Sequence, residues 1–239
     1  MVTRKRKLRI VLIVLGVLFA AAAGILAFHS VSLEVTPTDA EYIAKFTEGI
    51  EPVPANGAFD KQIDFIKRVQ DSVLTIAPIN KELPFGSERE PRNLYEARHG
   101  LCFDRSRVIE KILRHHGYRT RHIFIFSTKE TNALKAFATP GVASHAVSEV
   151  LTERGWLVID SNDRWVSLDV NGQPVSMAGL SGQAGSDPVV VWHEPPPVIY
   201  SDIAPFTYVY GLYSRHGEFY PPYNFIPDVN YTELIENIY

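Results

Sequence analysis

The chain has 239 residues, 46% hydrophobic and 21% charged, with a formal net charge of -3. Interspersed acids and bases with a slight acidic excess argue against nucleic acid as the main partner, since phosphate binding calls for a basic face. A single cysteine excludes an intrachain disulfide and is compatible with an oxidising compartment.

Arg4, Lys5, Arg6, Lys7 and Arg9 precede Ile10 to Phe28, an uncharged run that spans about 28 Å as a helix at roughly 1.5 Å per residue. That is bilayer thickness and predicts a transmembrane anchor. The basic cluster predicts a cytoplasmic N-terminus with everything after His29 exported, as in a single-pass protein of a bacterial inner membrane facing the periplasm. A cleaved signal peptide, processed near Ala20 to Ala23, is the competing reading. About 210 residues remain, enough for one sizeable core.

Val31 to Asp39 reads as a short stalk containing Pro37. Phe59, Ile63, Ile66, Val69, Val73 and Ile76 recur at helical spacing, with Asp60, Lys61, Lys67, Arg68 and Gln70 assigned to the opposite side. Asn80 to Glu90 is a polar loop, and Pro91 suits the first turn of a short helix to Arg98.

Cys102 stands in Arg98-His99-Gly100-Leu101-Cys102-Phe103-Asp104, where a glycine-bearing turn hands over to a helix ending near His116-Gly117. A lone thiol is a buried small hydrophobe, an accidental surface group or a nucleophile. Helix N-termini favour the third, because their unpaired N–H groups stabilise a thiolate and later an oxyanion. Arg121 to Ser127 suits a central strand, Lys129 to Pro140 a surface connection, and Ser144 to Leu151 with Trp156 to Asp160 a hairpin turning through Glu153-Arg154-Gly155. Trp165 to Val170 and Gln173 to Val175 flank Asn171-Gly172, a strong turn signal. Glu149, Asp163 and Asp169 read most simply as solvated or turn-forming groups.

His145 begins one hairpin strand and Asp160 ends the next, so a tight register brings both to one rim of the sheet. With the Cys102 helix packed there, the result is a thiol, an imidazole to deprotonate it and a carboxylate to fix the tautomer. The backbone N–H of Cys102 is the candidate oxyanion donor. His99, His122, His193 and His216 show no ligand spacing, so neither metal nor cofactor is called for.

Gly100-Leu101-Cys102, Ile112-Leu113-Arg114 with Gly117, Arg121, Ser144-His145-Ala146 with Glu149-Val150, and Gly155-Trp156 with Asp160 follow one another in an order that resembles the transglutaminase-like enzymes of the papain-like group. The resemblance covers about Pro91 to Asp169. It implies an α+β fold, with the cysteine at the N-terminus of a helix packed on an antiparallel sheet. It also implies Cys102 as nucleophile, His145 as general base and acid, and Asp160 as orienting carboxylate. Members often carry small residues soon after the cysteine and an aromatic two residues after the histidine; Phe103, Arg105 and Val147 depart from this.

The expected organisation is a basic cytoplasmic segment (1–9), an anchor (10–28), a stalk and lead-in (29–58), a catalytic core (59–178) and a Pro/Tyr-rich arm (179–239). Eight of the eleven tyrosines occur from Tyr200 onward, interleaved with prolines, as in an extended arm that wraps the core and buries its rings. Phe103, Arg105, Trp156, Arg215 and His216 are the candidate substrate contacts. The expected function is envelope-facing acyl transfer on a peptide, protein or glycan-linked amide, by hydrolysis or crosslinking. The alternative is a non-catalytic module of the same fold that binds an envelope polysaccharide or protein.

Overall fold

The computed structural model describes residues 2–84, 86–139, 141–182, 190–214 and 227–238. Helix α1 runs from Val2 to Phe28. Its stretch Lys7–Phe28 has a mean hydropathy of 2.9 and is long and apolar enough to cross a membrane, a property that signal sequences share.

The segment read as a stalk is folded into the body. Val31 is buried, and its N–H donates to Val229 O at 2.9 Å, while the Val229 N–H donates to His29 O at 2.8 Å. Helix α2 (Pro37–Phe46) follows, started by Pro37 and by a reciprocal cap in which Thr36 Oγ1 accepts from the Asp39 N–H and the Asp39 carboxylate accepts from the Thr36 N–H. Its apolar signal is short: Ile43 and Phe46 are its only buried hydrophobic residues. Asp39 also holds Lys111 Nζ at 2.6 Å in a buried ion pair.

Helix α3 (Phe59–Ile76) buries the expected stripe from Phe59 to Val73, with Ile76 at its end half-buried. Strand β1 (Ile79–Asn80) runs parallel to β2 (His99–Gly100), and between them lies α4 (Pro91–Ala97). Helix α5 (Cys102–His115) then crosses beneath the main sheet, with Val108, Ile109, Ile112 and Leu113 fully buried against α3.

That sheet is antiparallel, built from β3 (Thr120–Ser127), β4 (Ser144–Thr152), β5 (Gly155–Ile159) and β6 (Phe206–Tyr210) in the order β5-β4-β3-β6. Strand alternation divides it between two cores. Val150, Leu157 and Ile159 face α3 and α5. Ile123, Ile125, Val147 and Val158 face Trp165, α7 (Met177–Gly182) and α8 (Val198–Ile203).

Three local expectations change. The β3–β4 connection carries a short helix, α6 (Ala133–Phe137), capped by Asn132. The Asn171-Gly172 turn forms, with Asp169 accepting the N–H groups of Asn171 and Gln173, but among the described residues its flanks make only isolated bridges, Val166 to Ile159, Leu168 to Pro174 and Asp169 to Trp192. The C-terminal region supplies β6 to the sheet and then β7 (Leu212–Tyr213), β8 (Asp228–Val229), α9 (Tyr231–Ile235) and a final 3-10 turn (Glu236–Ile238), while Tyr200, Tyr210 and Tyr213 bury their rings.

Buried polar groups tie α9 to the back of α5. Glu233 receives Arg114 at 2.8 Å and the Tyr213 hydroxyl at 2.8 Å, and Tyr213 also reaches Glu110. Burial and the neighbouring Glu110 carboxylate raise the Glu233 carboxyl from 4.5 to about 7. The folded state therefore keeps a proton that the unfolded chain gives up above its own value, so this group erodes stability as pH rises between 4.5 and about 7. Glu233→Gln should flatten that part of the pH profile, read as the thermal midpoint in detergent across the window. An unchanged slope would contradict this assignment.

Candidate functional site

The close packing of α4 on α5 requires Gly100: a Cβ there would stand 2.5 Å from Leu94 Cδ1 and 3.0 Å from Asp104 Cβ. Leu101 is extended (φ -89°, ψ 177°) and the helix begins at Cys102. Asp104, three residues in, accepts the Leu101 N–H at 2.8 Å and is paired with buried Arg89 at 2.9 Å. The N–H of Cys102 belongs to the first turn, where no intrahelical acceptor exists. Cys102 as a residue is half-buried.

His145 lies at the start of β4, and Asp160 directly follows β5. Ser148 pairs with Ile159, which puts Asp160 level with Val147 and on the same sheet face as His145. The His145 Nε2–Asp160 Oδ2 distance is 2.9 Å, which leaves Nδ1 as the ring nitrogen available to the Cys102 sulfur. Burial disfavours the imidazolium, but the hydrogen bonds and charges of Asp160 and Cys102 outweigh it and push the His145 pKa up to about 10.

Asp160 is fully buried, and burial alone would raise its pKa. Its donors reverse that and hold the carboxyl below its usual range. Oδ1 accepts the N–H groups of Asn162 and Asp163 at 2.7 and 2.8 Å; Oδ2 accepts His145 and the Tyr200 hydroxyl, each at 2.9 Å. Gln70 Nε2 faces the carbonyls of Asp160, Trp165 and Asp163 at 2.7, 2.8 and 2.9 Å, fixing the loop from beneath. The Ala146 carbonyl accepts Ser106 Oγ from α5 at 3.1 Å and Ser161 Oγ from the Asp160 loop. One peptide group thus joins the three segments that carry Cys102, His145 and Asp160.

Neither Tyr200 nor Gln70 was singled out for the site. Gln70 was placed on the solvent side of α3, but it is 2% exposed because the 160–165 loop covers that edge of the helix. Tyr200 comes from α8, and only the packing of Trp165 and Ile203 around it brings its hydroxyl to Asp160. Glu149, read as a solvated group, is buried and paired with Arg121 at 2.7 Å, and it also accepts the Met177 N–H.

The expected substrate contacts do not assemble as a set. Phe103 is half-buried with Arg89 over its ring at 4.9 Å, and it lines a small cleft with Arg107 and Tyr213. Arg105 is 2% exposed, and its guanidinium is engaged with Ala77 O at 2.9 Å and Asn162 Oδ1 at 2.8 Å. It acts as a clamp between α5 and the Asp160 loop. Trp156 pairs with Leu151 at the far end of the hairpin, roughly 13 Å from Asp160 at about 3.3 Å per residue, and supports Arg121 at 3.9 Å. Arg215 and His216 lie outside the described residues. Among the described residues, no three His, Cys, Asp or Glu side chains cluster as metal ligands.

Removing the donors around Asp160 should cost stability in proportion to what is left unpaired. Tyr200→Phe is expected to cost about 1 kcal/mol, and Gln70→Leu, which strands buried carbonyls, about 1–3 kcal/mol. Urea midpoints measure both; a Gln70→Leu variant as stable as the wild type would contradict the clamp.

Residues 55–170 match the family model described as the transglutaminase-like superfamily. No curated protein matches the chain. The matched stretch contains Cys102, His145 and Asp160 and takes in helices α3 to α5 and strands β3 to β5. With a mixed helical and antiparallel architecture on one side and the family match on the other, residues 55–170 of this chain form a domain of the transglutaminase-like superfamily.

Proposed function

We propose that the domain is a thiol-dependent acyl-transfer enzyme that uses Cys102, His145 and Asp160. The observation that carries the reading is a buried imidazole, its pKa raised by Asp160 and Cys102, that is hydrogen-bonded to a carboxylate whose two oxygens each accept two donors. In the resting pair the Cys102 proton already sits on His145 Nδ1, and the sulfur attacks an amide carbonyl. The developing oxyanion is received by the Cys102 N–H at the start of α5. Collapse of the tetrahedral adduct breaks the C–N bond, and His145 delivers its proton to the departing amine. The thioester is then resolved by water, giving hydrolysis, or by a second amine, giving a crosslink. Asp160 holds the ring in position and stabilises the imidazolium.

The five basic residues ahead of Ile10 favour a cytoplasmic N-terminus, which puts the domain on the opposite side of the membrane from them. The substrates in this reading are peptide, protein or glycan-linked amides of the cell envelope.

Because Cys102 is the only cysteine, alkylation reports it without interference. At pH 6.5, iodoacetamide should modify the wild type at least about tenfold faster than His145→Ala, with Asp160→Asn in between. Equal rates in all three proteins would contradict an activated Cys–His pair.

A further inference from the structure

Helix α9 and the 3-10 turn after it carry their polarity in the reverse of the usual order for a surface helix. The charged and amide groups bond back to the body: Glu233 is 2% exposed, half-buried Glu236 pairs with Arg119 and Arg121 at 2.6 and 2.8 Å, and Asn237, itself exposed, donates through Nδ2 to Tyr210 O at 3.1 Å. Tyr231, Ile235 and Ile238 recur at i, i+4 and i+7 and point outward, 39%, 53% and 78% exposed.

The neighbour of this apolar face is the end of α1. The Tyr231 hydroxyl donates to the Leu26 carbonyl at 3.3 Å, inside the Lys7–Phe28 span, and the side chains of Leu26 and Phe28 are themselves exposed. The placement is fixed at several points. His29 Nδ1 meets Asp228 Oδ1 at 3.0 Å, and Asn230 Nδ2 donates to Val31 O at 2.8 Å. Gly211 (φ 76°) lets α9 lie directly on the β6–β7 corner, where a Cβ would come within 2.6 Å of Leu234 N and 2.7 Å of Asn230 O.

We propose that α9 and its 3-10 extension dock into the interfacial layer of the bilayer where α1 emerges, with Tyr231, Ile235 and Ile238 set among the lipid headgroups and upper acyl chains. The proposal rests on α1 remaining attached as a membrane span. An amphipathic tyrosine flanked by aliphatic residues suits that layer. Continuity with the Lys7–Phe28 span selects lipid as the occupant, because any surface touching Leu26 lies at the bilayer boundary when α1 is inserted. The domain is then seated on the membrane instead of hanging from a stalk. Arg107 on α5 donates to Ser32 O at 2.7 Å, so the helix that begins at Cys102 is also held close to the bilayer surface.

The test uses the full chain reconstituted in phosphatidylcholine–phosphatidylglycerol vesicles, with intact mass confirming that α1 is present. In a Cys102→Ser background, Ile238→Cys carries an NBD fluorophore; Asn171→Cys, in the turn beyond the opposite sheet edge, carries the same label as reference. The expected result is blue-shifted emission at position 238, shielded from aqueous iodide and quenched by headgroup-region spin-labelled lipid, with water-like emission at 171. Adding Ile235→Asp, an exposed position whose change leaves the circular dichroism spectrum intact, should restore iodide access at 238. Iodide access at 238 equal to that at 171 would overturn the proposal. Shielding without lipid quenching, as a second copy of the chain would give, would overturn it too.

Discussion

A carboxylate removed from water has to be supplied with donors from its surroundings, and Asp160 shows how much of the molecule that requirement organises. Two of its donors are backbone groups of its own turn, one comes from β4 and one from α8. The turn itself is held by Gln70 from α3 and by Arg105 through Asn162 from α5. Helices on both sheet faces therefore meet at one loop. Its geometry is set by the packing of both hydrophobic cores and by no single hydrogen bond.

The same arrangement governs the electrostatics of the His145 ring. Burial alone would favour neutral imidazole; the Asp160 carboxylate, which its own donors keep from taking up a proton, and the Cys102 sulfur together reverse the preference. The Ala146 carbonyl then limits relative motion of the parts, since Ser106 and Ser161 bind it from opposite segments. The substrate-discriminating walls are a separate matter. Phe103 lies under Arg89, while Arg105 serves the scaffold and Trp156 the far end of the sheet.

What was legible in the sequence was what short-range chemistry determines. Gly100 and the helix after Cys102, the hairpin through Gly155, and hence the meeting of His145 with Asp160 follow from local turn and strand preferences and from a register that cannot slip without exposing the core face. Gln70 and Tyr200 were not legible, because a polar residue beside a helical apolar stripe and a tyrosine in a proline-rich region acquire their roles only when distant segments close over them. Helix α2 was missed for a related reason: its cap lies in Thr36 and Asp39, but it buries too few apolar residues to show a period. Strand β6 was hidden by composition, since Phe206–Tyr210 becomes a strand only by pairing with the distant β3.

The central claim is that His145 is held as an imidazolium between Asp160 and Cys102. Nitrogen-15 NMR of histidine-labelled protein across pH measures this directly, with His145→Gln assigning the signal. A ring that stays doubly protonated through pH 8 and titrates near 10, as its surroundings dictate, would support the account. A ring that is neutral at pH 7.5 and titrates near the ordinary 6.5 would contradict it.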